Sequence, residues 1–162
     1  MEVEPEAARK VLSIINDKAR QIFAEDGACH PCVMRIDEDM DVVDVTSIGD
    51  MMDDKDKAAA FMKTAAAIPG TAGIAMVSEC YSYRKELEPS DYAISPGQAF
   101  KNGDPNAYEA VMVLVHLRGP ITVVATNEIV RDGAQANLKE PDITTLTSED
   151  QSNSRFSNPY RN

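Results

Sequence analysis

The sequence predicts an α+β fold, a two-layer sandwich with two helices packed on one face of a mainly antiparallel sheet of about five strands, in the order α-β-β-α-β-β-β. Three observations carry this. Residues 107–131 hold two runs rich in β-branched residues joined by Arg118-Gly119-Pro120, the pattern of antiparallel neighbours. Residues 5–24, and the stretch between Asp54 and Pro69, instead repeat their apolar side chains at three and four, the period of a helix lying on a core. Helical and antiparallel patterns alternate along the 162 residues, a length that suits one domain with a real core and is too short for two.

The elements follow in order. Pro5 suits the first turn of a helix whose apolar stripe runs through Ala8, Val11, Leu12, Ile15, Ala19 and Phe23 and stops at Gly27. Residues 29–36 read as a strand with Cys32, Met34 and Ile36 on one face. The charged turn Asp37-Glu38-Asp39-Met40-Asp41 then leads into a returning strand at 41–46 with Val42, Val43 and Val45. Asp53 or Asp54 caps the second helix, which carries Ala58, Phe61, Met62, Ala65 and Ala66 on one stripe and ends at Pro69-Gly70. The third strand, 74–83, sets Ile74, Met76, Ser78, Cys80 and Ser82 against Ala75, Val77, Glu79, Tyr81 and Tyr83. A long connection, 84–107, precedes the two strands of 107–131, the first of which is apolar on both faces and therefore central. After Asp132-Gly133 the chain turns polar. The domain is expected to span 1–147, with 148–162 a polar tail.

Composition narrows the function classes. A net charge of −11 repels nucleic-acid backbones and anionic membranes and suits a basic protein partner. No apolar run approaches the roughly 20 residues that span a bilayer, and the acidic start is unlike a secretory leader. Three cysteines without paired spacings point to free thiols in a reducing, cytoplasmic setting. Core formation without Trp must rest on Val, Ile, Met and Ala.

Cys29-His30-Pro31-Cys32 has the spacing of a redox motif, but a helix precedes it and a strand follows, the reverse of what lowers a thiol pKa. The same pair is half of a zinc site, and Cys80 with His116 could supply the other half if their strands were neighbours. Against zinc stands the plainer reading of the cysteines as small buried hydrophobes and of His116 as a hydrogen-bonded histidine at the core edge. A calcium loop beginning at Asp37 fails, because its sixth position is Val42 and its twelfth Ile48. No phosphate loop and no nucleophile elbow occur. Between Arg35 and Lys57 nine acids face three bases, a net of −6 and more than half of the total charge.

The run Ala75-Met-Val-Ser-Glu-Cys80, then Asp104-Pro-Asn-Ala-Tyr-Glu-Ala-Val-Met-Val113 and Ile129-Val-Arg-Asp132, resembles small uncharacterised α+β proteins of bacterial and phage genomes over about the C-terminal half of the chain. That resemblance implies no activity. The function expected from the residues is therefore a non-catalytic acidic interaction protein that binds a protein partner or a second copy of itself. Asp37, Glu38, Asp39 and Asp41 would form its charged face, and Tyr92 and Phe100 of the long connection its apolar contacts. The alternative is a small enzyme, metal-dependent or not, with a site where residues 84–107 cover the sheet near Glu79, Glu109 and His116; Glu128 is a third carboxylate on a predicted strand.

Overall fold

A computed structural model of the chain describes residues 4–84, 94–146 and 158–160. Eleven regular elements occur among them, α1 (Pro5–Asp26), β1 (Cys32–Asp37), β2 (Val42–Ser47), a single 3-10 turn (Gly49–Met51), α2 (Lys55–Ala66), β3 (Thr71–Tyr83), α3 (Pro96–Lys101), β4 (Ala107–Leu117), β5 (Ile121–Asp132), β6 (Gln135–Leu138) and β7 (Asp142–Leu146). The α+β class holds, but the sheet has seven antiparallel strands rather than five, in the order β2-β1-β3-β4-β5, with β6 and β7 both pairing with β5.

The two additional strands come from the stretch read as polar. Asp132-Gly133 is a hairpin turn, with Gly133 at φ 61°, a conformation that costs glycine little. The returning chain pairs with Ile129–Asp132 as β6 and then with Thr122–Thr126 as β7. Pro141 interrupts the two, and a residue without an N–H cannot continue the ladder. Similarly, Pro96–Lys101 in the long connection is a short helix, capped by Ser95, whose side chain accepts from the Gln98 N–H.

Strand parity divides the core in two. Ala75 and Val77, Val111, Val113, Val115 and Leu117, and Val123 and Ala125 point to one face and meet α1 through Leu12, Ile15, Ala19 and Phe23. Ile74 and Met76, Leu114 and Val124 point to the other and meet α2 through Ala58, Met62, Ala65 and Ala66. The helices therefore cover opposite faces of the sheet, where the sequence had suggested one. The reason is that β3 and β4 are apolar at both parities and need a cover on each side. Fully burying a side chain such as Leu12, Phe23 or Val113 is worth about 1.5–3 kcal/mol.

Both main helices form for local reasons. Pro5 opens α1, and Gly27, at φ 72°, closes it by donating to Phe23 O at 2.8 Å. Asp54 caps α2 by accepting from the N–H groups of Asp56 and Lys57. Among the described residues, no helix is long and apolar enough to cross a membrane.

Part of the polar C-terminal stretch is also placed. Asn158 is buried and donates to Leu117 O, Ile121 O and Thr122 Oγ1, and Arg118 lies over the Tyr160 ring at 5.4 Å. These contacts bracket the turn between β4 and β5.

Candidate functional site

The β1–β2 hairpin stands out because its outer strand is uncovered. Its turn is built by its own first residue: Asp37 Oδ1 accepts from the N–H groups of Asp39 and Asp41, each at 2.9 Å. Met40, at φ 67°, takes the left-handed position that such a loop requires, and its side chain packs against the α1 cluster. Asp37 thus serves the turn, leaving Glu38, Asp39 and Asp41 as the exposed acids at the tip. The ladder slips between Arg35 and Ile36, so Val43 is an extra residue that bulges from β2.

All six residues of β2 are exposed. Val42 and Val43 are 40% and 43% exposed and Val45 is 63% exposed. The cause is topological. β3 pairs with one edge of β1, so β2 occupies the other and ends the sheet, while α1 lies over β4 and β5 and leaves β2 uncovered on that side. Val45 lies opposite the half-buried Met34 in the β1–β2 ladder. On the α2 side, Arg35 Nε donates to Asp44 Oδ2 at 2.7 Å and Nη1 donates to Thr71 Oγ1 at 3.1 Å. Beside this pair a small groove of about 140 Å³ runs between β2 and α2, bounded by Val33, Phe61 and Ile68. Among the described residues, Glu38, Asp39, Asp41, Asp50 and Asp53 make no ion pair. An open strand edge with an apolar strip and a net-negative rim can take an extended segment by main-chain pairing and add charge attraction to it.

The other predicted site residues do not join this surface. Tyr92 lies outside the described residues. Phe100 is on α3, where its ring meets Tyr81 at a centroid distance of 5.3 Å. The proposed zinc ligands are split by the sheet: Cys32 packs with the α1 cluster, whereas Cys80 and His116 belong to the α2 side, on different rungs of the β3–β4 ladder. Among the described residues no three His, Cys, Asp or Glu side chains stand where one metal ion could be held. Burial pushes the Cys29 and Cys80 thiols up to about 11 and also raises Cys32, so all three favour the thiol form at neutral pH. His116 is wholly buried, with Nδ1 at 2.9 Å from Thr122 Oγ1.

The carboxylates of the enzyme alternative are divided between the two faces of the sheet, Glu79 and Glu109 on one and Glu128 on the other. Glu79 accepts the Cys29 N–H at 3.3 Å, and Glu109 takes a two-point bond from Arg131 at 2.8 and 3.2 Å. Glu128 lies on the opposite face, between Arg84 and Lys139. Burial alone would raise the Glu128 pKa, but hydrogen bonds and charge from Lys139 and Arg84 outweigh it and hold the carboxyl below its usual range. Glu109 and Glu128 are thus ion-pair partners, and Glu79 is a backbone acceptor.

Sequence reasoning missed Val42, Val43 and Val45 as surface residues because apolar residues in a strand pattern are read as core. That β2 is an edge is a property of non-local pairing, and only its high acid content hinted at it. Comparison with protein-family models, with curated proteins and with solved structures found no match to this chain.

Proposed function

We propose that the protein is a non-catalytic interaction module whose docking element is the open edge of β2. The occupant is an extended segment of a partner protein carrying Lys or Arg among β-branched residues. The supporting observation is the six-residue edge strand, without a second strand partner among the described residues, with Val42, Val43 and Val45 exposed beside hairpin-tip acids that make no ion pair there. Main-chain hydrogen bonds to β2 supply affinity, the strip around Val45 and Met34 supplies apolar contact, and the acids select basic partners and speed encounter. Pairing of β2 with the same edge of a second copy is disfavoured, because it would juxtapose two surfaces that each carry −6 between residues 35 and 57.

Selection from a displayed library of random peptides tests this. Enriched peptides should be basic and β-branched, their binding should protect β2 amides from hydrogen exchange, and Val45→Lys should abolish it with the fold intact. Enrichment of acidic or helical peptides, or binding that leaves β2 amides unprotected, would count against the reading.

A further inference from the structure

On the α2 side of the sheet, away from the hairpin edge, the structure holds a second surface feature. α2 covers the sheet around Ile74, Met76 and Leu114, but not the next rungs of β3, β4 and β5. There a cleft of about 490 Å³ opens between the start of α2 and the start of α3, within the size range of small-molecule sites.

Its chemistry is specific. Met52, Met76 and Met112 give it a flexible, polarizable apolar lining. Ser78, Met112 and Thr126 are consecutive partners across β3, β4 and β5, so the two hydroxyl-bearing residues flank Met112 on one rung. Ser78 is only 2% exposed, yet its hydroxyl makes no hydrogen bond to the described residues, and neither does that of Thr126. Both residues line the cleft, so these hydroxyls are open to a ligand there. Lys55, at the first position of α2, supplies a cation at the rim and makes no ion pair among the described residues. Cys80 lines the same cleft within the electrostatic reach of Lys55, and as a thiol it adds soft apolar surface rather than a nucleophile.

We infer that this cleft binds a small monocarboxylate amphiphile, with its apolar body on the methionines, its carboxylate toward Lys55 and its polar atoms within reach of Ser78 and Thr126. Neither hydroxyl carries charge, and among the described lining residues Lys55 is the one cation and Glu79 the one acid, so phosphates and dianions are poorly matched. The inference is independent of the hairpin proposal, since β2 contributes no residue to the cleft.

The test uses the full chain with methyl-labelled methionine, titrated with decanoate and, in a separate arm, with decanol. Decanoate should shift the Met52, Met76 and Met112 methyl signals saturably, leave Met34 and Met40 unmoved, and slow alkylation of Cys80 but not of Cys32. Lys55→Gln, at an exposed position that leaves the core untouched, should weaken decanoate about three- to fivefold and leave decanol unchanged. Ser78→Phe, which fills the cleft, should remove both. Shifts spread over all methionines, or no saturation, would overturn the site. Equal binding of decanol and decanoate, or a Lys55→Gln variant with unchanged decanoate affinity, would overturn the carboxylate assignment.

Discussion

Asn16 of α1 and Asn127 of β5 exchange amide hydrogen bonds inside the core, Asn127 donating at 2.8 Å and Asn16 at 3.3 Å. Asn127 also donates to Val111 O and accepts from Arg20 Nη1, each at 2.9 Å, and Arg20 reaches on to Lys139 O at 2.7 Å. One buried amide thus ties the helix to β4, to β5 and to the start of the β6–β7 connection. Asn127→Ala leaves several of these groups unsatisfied and should cost about 2–4 kcal/mol in urea unfolding. Coupling between the Asn127→Ala and Asn16→Ala variants should be clearly non-additive.

The C-terminal stretch should matter to stability despite its polarity. A chain ending at residue 147 loses the three Asn158 bonds to Leu117 O, Ile121 O and Thr122 Oγ1. The expected loss is about 1–3 kcal/mol, with faster hydrogen exchange at the β4–β5 turn. Asn158→Ala alone should reproduce most of it.

Gly73 is required by close approach rather than by its φ. A Cβ placed there would lie 2.2 Å from Leu117 Cδ2 and 2.9 Å from His116 O, and the second of these is backbone in a paired strand. Gly73→Ala should destabilise by about 1–3 kcal/mol in thermal or urea unfolding, whereas Gly49→Ala, with nothing within 4 Å, should be close to neutral.

Glu128 should contribute a pH dependence on the acid side. Its folded pKa lies below the ordinary value of 4.5, so its stabilisation is complete above that value and is lost as pH falls through the lower folded one. Glu128→Gln should therefore lower the urea midpoint at pH 7, and its difference from wild type should shrink at pH 3.

Charge at the hairpin tip should act on association rate. Neutralising Glu38, Asp39 and Asp41 as Gln, Asn and Asn should slow binding of a basic partner peptide about tenfold at low ionic strength. The difference should fade above about 0.15 M salt, where screening reaches about 8 Å. Asp37→Asn should behave differently and loosen the turn itself, because Asp37 Oδ1 accepts two backbone bonds there.

What was legible in the sequence was local. The stripe of α1, the Pro5 and Gly27 boundaries and the double apolar parity of β4 depend on residues close together in the chain, and each appears as expected, while the cap left open between Asp53 and Asp54 falls to Asp54. The Asp132-Gly133 turn was equally local, but β6 and β7 carry few apolar residues because they form the outer edge against β5, and a polar edge strand has no strong period to detect.

The sequence by itself therefore determined the α+β class, the central position of β4, the limits of α1 and the concentration of acid between residues 35 and 57. The tertiary structure alone decided that the helices cover opposite faces, that Cys32 and Cys80 lie on different sides of the sheet, that β2 is an open edge, and that Ser78 and Thr126 flank one cleft. The physical reason is that periodicity assigns a side chain to a face, whereas pairing between strands distant in the chain decides what lies across that face.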